Sequence, residues 1–233
     1  MTINHVRTQV EPLGHKYTIR IDRILDEPEN WQEEVATIRL AGEGDVVHLL
    51  INTDGGNVYV LFALLSALEQ SPAHIICELE GMAASCGSFL FLSGDEFRVS
   101  PNATLMAHNA SHGAYGKASD VSTYVSYSDK QFRNLLERYY THFFTQEEID
   151  KMLEGKEYWF DSDEIMERLE KRAELLNKEV EEVINLDLTD LEIDDLKETC
   201  RQQGIKFAHN ISKEKLISKL ENHFKVGESF NDK

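Results

Sequence analysis

Val46-Val47-His48-Leu49-Leu50-Ile51-Asn52-Thr53-Asp54-Gly55-Gly56 is the stretch that decides how this chain is read. Its first six residues form an apolar run long enough for one buried strand and too short for an ordinary helix. The run ends in a Gly-Gly turn, after which Val58 to Leu68 (V-Y-V-L-F-A-L-L-S-A-L) reads as a mostly buried helix. An N–H of the Asp54-Gly55-Gly56 turn is thereby presented near a helix start, where negative charge is stabilised. Further on the plan repeats. His74 to Leu79 (H-I-I-C-E-L) reads as a strand, Gly81 turns it, and Ser85 stands at the start of an apolar helix, Ser88-Phe89-Leu90-Phe91-Leu92. The small neighbours Ala83, Ala84 and Gly87 leave room for a carbonyl above the Ser85 hydroxyl. A lone serine at a helix start is more often a cap than a nucleophile. The pairing of two such turns is what makes Ser85 a candidate.

Outward from this centre, Lys16 to Ile24 alternates through Tyr17, Ile19 and Ile21 as a strand, and Trp31 to Ile38 reads as a short helix. Strand and helix then alternate through position 108, the sequence form of stacked β-α-β units with parallel strands, hence an α/β fold. Ser119 to Phe143 reads as one helix, with Ser119 as its N-cap and Val121, Val125, Phe132, Leu135, Leu136, Tyr139 and Phe143 as a stripe expected to be core packing. Asp163 to Ile184 is a continuous helical pattern unbroken by glycine, with Ile165, Leu169, Ala173, Leu176, Val180 and Val183 as its apolar positions. Leu188 to Phe224 reads as two short helices. Gly204 takes the C-cap position of the first and Ser212 caps the second.

The motifs resemble the proteolytic subunit of Clp protease. Ile51 to Gly56 (I-N-T-D-G-G) resembles that family's I-N-S-P-G-G, and Gly81 to Gly87 (G-M-A-A-S-C-G) its G-x-A-A-S-x-G around the nucleophile. Pro101 to His108 (P-N-A-T-L-M-A-H) is similar to P-N-S-R-x-M-x-H, whose histidine is the general base. His108 to Asp120 is similar in spacing to the family's glycine-rich handle. The resemblance covers roughly residues 15 to 165, most specifically 51 to 120. It implies a Clp/crotonase-like stacked β-α-β superhelical fold, with Ser85 as nucleophile, His108 as base, and the N–H groups of Gly56 and Cys86 as the oxyanion hole. For the acid, Glu157 in G-K-E-Y-W-F-D-S stands where the family has aspartate two residues before an aromatic, with Asp161 and Asp163 as rival candidates. Cys86, a possible rival nucleophile, sits at the place of an amide donor. The resemblance also implies an oligomeric ring, a peptide or protein substrate, and any ATP-driven unfoldase as a separate chain, since no G-x-x-x-x-G-K-[ST] loop is present.

After Asp161 the chain departs from that family. The C-terminal unit resembles SAP or helix-extended-loop-helix modules through Leu196, Gly204, Ile205, Lys213, Leu216, Ile217 and Leu220. The combination looks like the Clp-like proteases of bacteriophages, found among capsid genes and implicated in head maturation, with a capsid-assembly protein as a possible partner. The expected layout is 1–162 protease domain, 163–185 helical extension or linker, 186–226 small all-α C-terminal module and 227–233 disordered tail.

Composition bounds the partners. The formal net charge is −18, which argues against non-specific nucleic-acid binding by the whole chain. Within Arg201 to Lys225 bases outnumber acids, so residues 186–226 are expected to bind nucleic acid only weakly, and protein docking is the preferred role. Nothing has the length of a membrane span, and the first residues lack the apolar stretch of a signal peptide, so the expectation is a cytoplasmic protein of bacterium or infected host, or a virion-associated one. Three widely separated cysteines, Cys77, Cys86 and Cys200, suit a reducing compartment. The histidines other than His108 form no H-x-x-x-H pair among themselves and there is no C-x-x-C pair, so no metal and no cofactor is expected. Two other readings compete: a Clp-like structural ring or binding module with weak or lost catalysis, and a crotonase-type acyl-CoA enzyme, which shares the paired-amide oxyanion hole but needs no serine.

Overall fold

The computed structural model describes residues 14–111, 113–184, 188, 191–208 and 211–228. The apolar run becomes β2 (Val46–Thr53), flanked in parallel by β1 (Lys16–Ile21) and β3 (His74–Ala84), with Ile19 opposite Leu49 and Leu49 opposite Cys77. Val47, Leu49 and Ile51 point to one face, as the two-residue period of a strand requires, and are wholly buried. α1 (Gln32–Leu40) and α2 (Val58–Gln70) pack with them in one apolar cluster, which takes in Ile38, Val60, Leu61, Leu64 and Leu68. Asn57 caps α2 by accepting the Tyr59 N–H at 2.9 Å, worth about 1 kcal/mol. A 3-10 turn, Pro28–Trp31, precedes α1 and buries Trp31, whose indole N–H donates to Asp26 and whose face carries the Arg23 guanidinium at 4.1 Å.

β3 runs longer than expected. Gly81 does not turn the chain; the strand continues through it to Ala84, followed at once by α3 (Cys86–Leu92). The pairing Ile51↔Leu79 passes to Thr53↔Ala83, so β3 carries two extra residues there and bulges. Met82 N–H donates to Asn52 Oδ1 at 2.9 Å across the bulge. A Cβ on Gly81 would stand 2.5 Å from that oxygen, so the glycine permits close approach within a strand.

β4 (Glu96–Val99) and β5 (Thr104–Ala107) pair in succession with the same edge of β3, β4 along residues 76–79 and β5 along 82–84. β6 (Tyr158–Phe160) closes the six-stranded sheet antiparallel to β5. The expected α/β class with parallel strands holds for every pairing except this last one.

α4 (Ala118–Tyr140) begins one residue before the expected cap: Lys117 is the extended residue, and the Ser119 hydroxyl bonds Asp120. It also ends before Phe143. The stripe divides. Leu136, Tyr139 and Tyr140 are buried, whereas Val121 and Val125 are only half-covered and Tyr124 and Tyr127 are exposed, so the N-terminal half of the stripe is not core packing within this chain.

α5 (Gln146–Leu153) starts with a capping box between Thr145 and Glu148. Glu148 also pairs with Arg168 of α6 (Ser162–Ile184) through both oxygens, at 2.6 and 3.0 Å. Arg168 lies 4.1 Å over the Phe160 ring and donates to Phe143 O, so one guanidinium joins α5, β6 and α6. Ile165 and Leu169 belong to the same apolar cluster as the sheet. Arg172 donates to Leu92 O, and burial pulls its pKa down to about 10. The extension expected over 163–185 is therefore anchored along its first turns, and packing runs past residue 162.

α7 (Ile193–Gln202) and α8 (Lys213–Glu228) share a separate small core of Leu196, Cys200, Leu216 and Leu220. Gly204, at φ 63°, ends α7 in a Schellman arrangement, with Ile205 N–H on Cys200 O and Gly204 N–H on Arg201 O. Lys206 reaches back to Ala73 O and lies 3.9 Å from Asp95, at the N-terminal end of β3. Of the expected tail, 227–233, Gly227 and Glu228 close α8 and the rest lies outside the described residues.

Candidate active site

The switch from β3 to α3 leaves no linker, so the residue between them takes the whole change of direction. Ser85 does so at φ 54° and ψ −120°, a conformation that costs a non-glycine residue about 1–3 kcal/mol. Its N–H is tied to Met106 O at 2.9 Å. The side chain caps nothing; its Oγ stands 2.9 Å from Nε2 of His108, two residues past Met106. One ladder contact between β3 and β5 thus sets the hydroxyl against the imidazole. His108 is half-buried, and the following Asn109 is held by its amide on Leu153 O.

Glu157 occupies a defined place. The antiparallel β5–β6 ladder ends at Ala107↔Tyr158, and His108 and Glu157 are the next residues outward along the two chains. The carboxylate is exposed and makes no hydrogen bond to the ring. Asp161 is engaged elsewhere: Oδ1 accepts the N–H groups of Asp163 and Glu164 as the cap of α6. Asp163 lies exposed in the first turn of that helix.

The glycine turn meets the serine turn directly. Leu25 forms a bridge with Gly56, its N–H on Gly55 O at 2.8 Å and its carbonyl accepting Asn57 N–H at 2.6 Å. These bonds use the groups on either side of Gly56 N–H; among the described residues neither that N–H nor the N–H of Cys86, first residue of α3, donates to a backbone carbonyl. The two candidate oxyanion donors are joined by a bond that sequence reasoning missed, from the Cys86 thiol to Gly56 O at 3.1 Å. Burial pushes that thiol's pKa up, so Cys86 is a protonated donor and a poor nucleophile at neutral pH. The Leu25 bridge was also missed: Leu25 lies outside every periodic segment, and no local signal marks it.

The site is assembled from β3, β5 and the turn after β2, at the C-terminal ends of the parallel strands. A strained serine hydroxyl, a histidine at hydrogen-bond distance and two unengaged amides beside them are the parts that acyl transfer requires. Among the described residues no group of three His, Cys, Asp or Glu converges to hold a metal. None of the described helices is long and apolar enough to cross a membrane. Compared with known protein families, residues 26–168 match the model of the family described as Clp protease.

Proposed function

The chain belongs to the Clp protease family, a family of peptidases that generally act as rings on protein substrates, and from that premise we propose that it is a serine endopeptidase with Ser85 as nucleophile. The observation that carries this reading is the 2.9 Å contact between Ser85 Oγ and His108 Nε2. In the proposed mechanism Ser85 Oγ attacks the scissile carbonyl while His108 Nε2 takes its proton and delivers it to the departing amine. Water then enters by the same route to release the acyl group. The N–H groups of Gly56 and Cys86 hold the oxyanion, and Glu157 orients His108 from the Nδ1 side. A fluorophosphonate should add covalently to Ser85, detected by mass spectrometry; an unlabelled Ser85 in intact protein would sink the proposal and favour the runner-up reading.

That runner-up is a Clp-like ring with weak or no catalysis. It is favoured by one observation, the Glu157 carboxylate that does not reach the imidazole. Such bonds are often loose in unliganded enzymes and tighten on substrate, and the β5–β6 register supports Glu157 over Asp161. Glu157→Gln should accordingly lower kcat by roughly 10²- to 10⁴-fold with little change in KM, because the charge matters mainly as imidazolium forms. Asp161→Asn should leave kcat within a few-fold and instead weaken the start of α6. Steady-state kinetics giving the reverse ranking would move the role to Asp161.

The proposal extends to a reducing cytoplasm, which the free, buried thiols of Cys77, Cys86 and Cys200 suit. It extends also to a phage-type enzyme of head maturation, whose C-terminal module, within 186–226, docks on a protein and tethers the protease to its target. The module's contact through Lys206 lies at the opposite end of β3 from Ser85, roughly 35 Å away along eleven residues of strand. Deleting residues 186–233 should leave cleavage of a small peptide unchanged and impair processing of the natural protein target. Loss of small-peptide activity would count against the tether role, and tight DNA binding by the full chain that disappears on truncation would replace protein docking with DNA docking.

A further inference from the structure

Ser88 and Tyr140 lie beneath the candidate nucleophile, and the mechanism above uses neither. Both are wholly buried. The Ser88 hydroxyl donates to the Ser85 carbonyl at 2.5 Å, and the Ser88 N–H goes to the same oxygen at 3.0 Å. Ser88 Oγ also lies 2.6 Å from the Tyr140 hydroxyl. A serine hydroxyl has one proton. With that proton given to Ser85, Tyr140 is the donor to Ser88. Tyr140 is the last residue of α4, fifty-two positions away in sequence, and its ring stacks on Phe89 at 4.4 Å. Burial drives its phenol pKa far above the usual value, so it remains a donor at every pH at which a serine protease works.

Resting on the serine-peptidase reading, we infer that Ser88 and Tyr140 are positioning residues for the oxyanion hole, acting through the peptide between Ser85 and Cys86. That peptide is a rigid plate, with the Ser85 carbonyl on one edge and the Cys86 N–H on the other. Fixing the carbonyl fixes where the N–H points. The plate needs fixing, because Ser85 sits in a sparsely populated φ/ψ region and rotation toward an ordinary ψ would swing the Cys86 N–H away from the oxyanion. The Ser88 N–H bond is available to any residue at that position. The hydroxyl and the phenol behind it are additions made by these two side chains, and they run from the Ser85 carbonyl to the buried end of α4.

The test uses full-length Ser88→Ala, Tyr140→Phe and the double variant, with kcat and KM on a fluorogenic peptide, the pH profile of kcat/KM and the urea midpoint. Ser88→Ala should lower kcat about ten- to a hundredfold, less than outright loss of an oxyanion donor, with KM within about twofold. The acid limb of the pH profile should not move, since the Ser85–His108 contact is untouched. Ser88→Ala strands the buried Tyr140 hydroxyl and lowers the urea midpoint. The double variant removes both partners and should recover much of that midpoint, while kcat stays at the Ser88→Ala level. A merely structural pair would give the opposite pattern, kcat returning with stability. That result, or single variants with wild-type kcat, overturns the inference while leaving the serine-peptidase reading intact. A wild-type protein that neither hydrolyses peptide nor takes a fluorophosphonate overturns both.

Discussion

Ser85→Ala should reduce peptide hydrolysis by about 10⁵- to 10⁶-fold in kcat, the scale on which triad enzymes respond to loss of the nucleophile. The substitution removes one oxygen, the one that stands 2.9 Å from His108 Nε2. Alanine meets the same backbone strain at φ 54° as serine does, and the side chain contributes nothing to the apolar cluster. Folding and assembly should therefore be unchanged. Analytical ultracentrifugation should find the same ring-sized particle for variant and wild type, the exposed half of the α4 stripe being available for contact with other copies. Activity surviving largely intact in Ser85→Ala would remove the serine from the mechanism. A wild-type monomer at micromolar concentration would remove the ring.

Gly55→Ala should be nearly as damaging by a different route. Gly55 has φ +90°, which an L side chain rarely adopts, and its missing Cβ would stand 2.6 Å from Ala84 O and 2.9 Å from both Cys86 N and Ser85 Cβ. Backbone atoms on two sides cannot step aside. An alanine there displaces the Ser85 elbow or pulls the Gly-Gly turn from its bridge with Leu25. Loss of at least about a hundredfold in kcat/KM is expected, as follows from a misplacement near 1 Å, together with destabilisation of about 2–4 kcal/mol from strain and overpacking. Equilibrium urea unfolding and peptidase kinetics measure the two effects. Near-normal values for both would mean that the turns do not need this close approach.

What could be read from the residues follows from which interactions are local. The strand at Val46, the helix at Val58 and the serine turn are written in short-range periodicity and small residues, and each lies where the pattern puts it. Gly81 was misleading because glycine serves both turns and close approaches, and only the partner strand, through Asn52, reveals which. The α4 stripe was half misread for a related reason: helical spacing states which residues share a face and nothing about what covers it. Leu25 with Gly56, Cys86 with Gly56, and Ser88 with Tyr140 join distant positions, and none has a local signature. Glu157 against Asp161 could not be decided from their spacing; in the fold Glu157 directly precedes β6, whose last ladder pair adjoins His108, while Asp161 caps a helix.

The bond from Ser85 N–H to Met106 O carries a consequence for timing. Hydroxyl and imidazole are 23 residues apart in the chain and become neighbours only when β5 pairs with β3, the strand that β4 also pairs with. Parallel pairings of this kind are non-local and slow to form, because loop-closure entropy is lost before the contacts return it. During synthesis Ser85 emerges before His108, and the N–H groups of Gly56 and Cys86 have no common orientation until α3 and the Leu25 bridge are in place. On the serine-peptidase proposal, an incompletely folded chain lacks the assembled site, and activity should begin only once β5 has paired with β3.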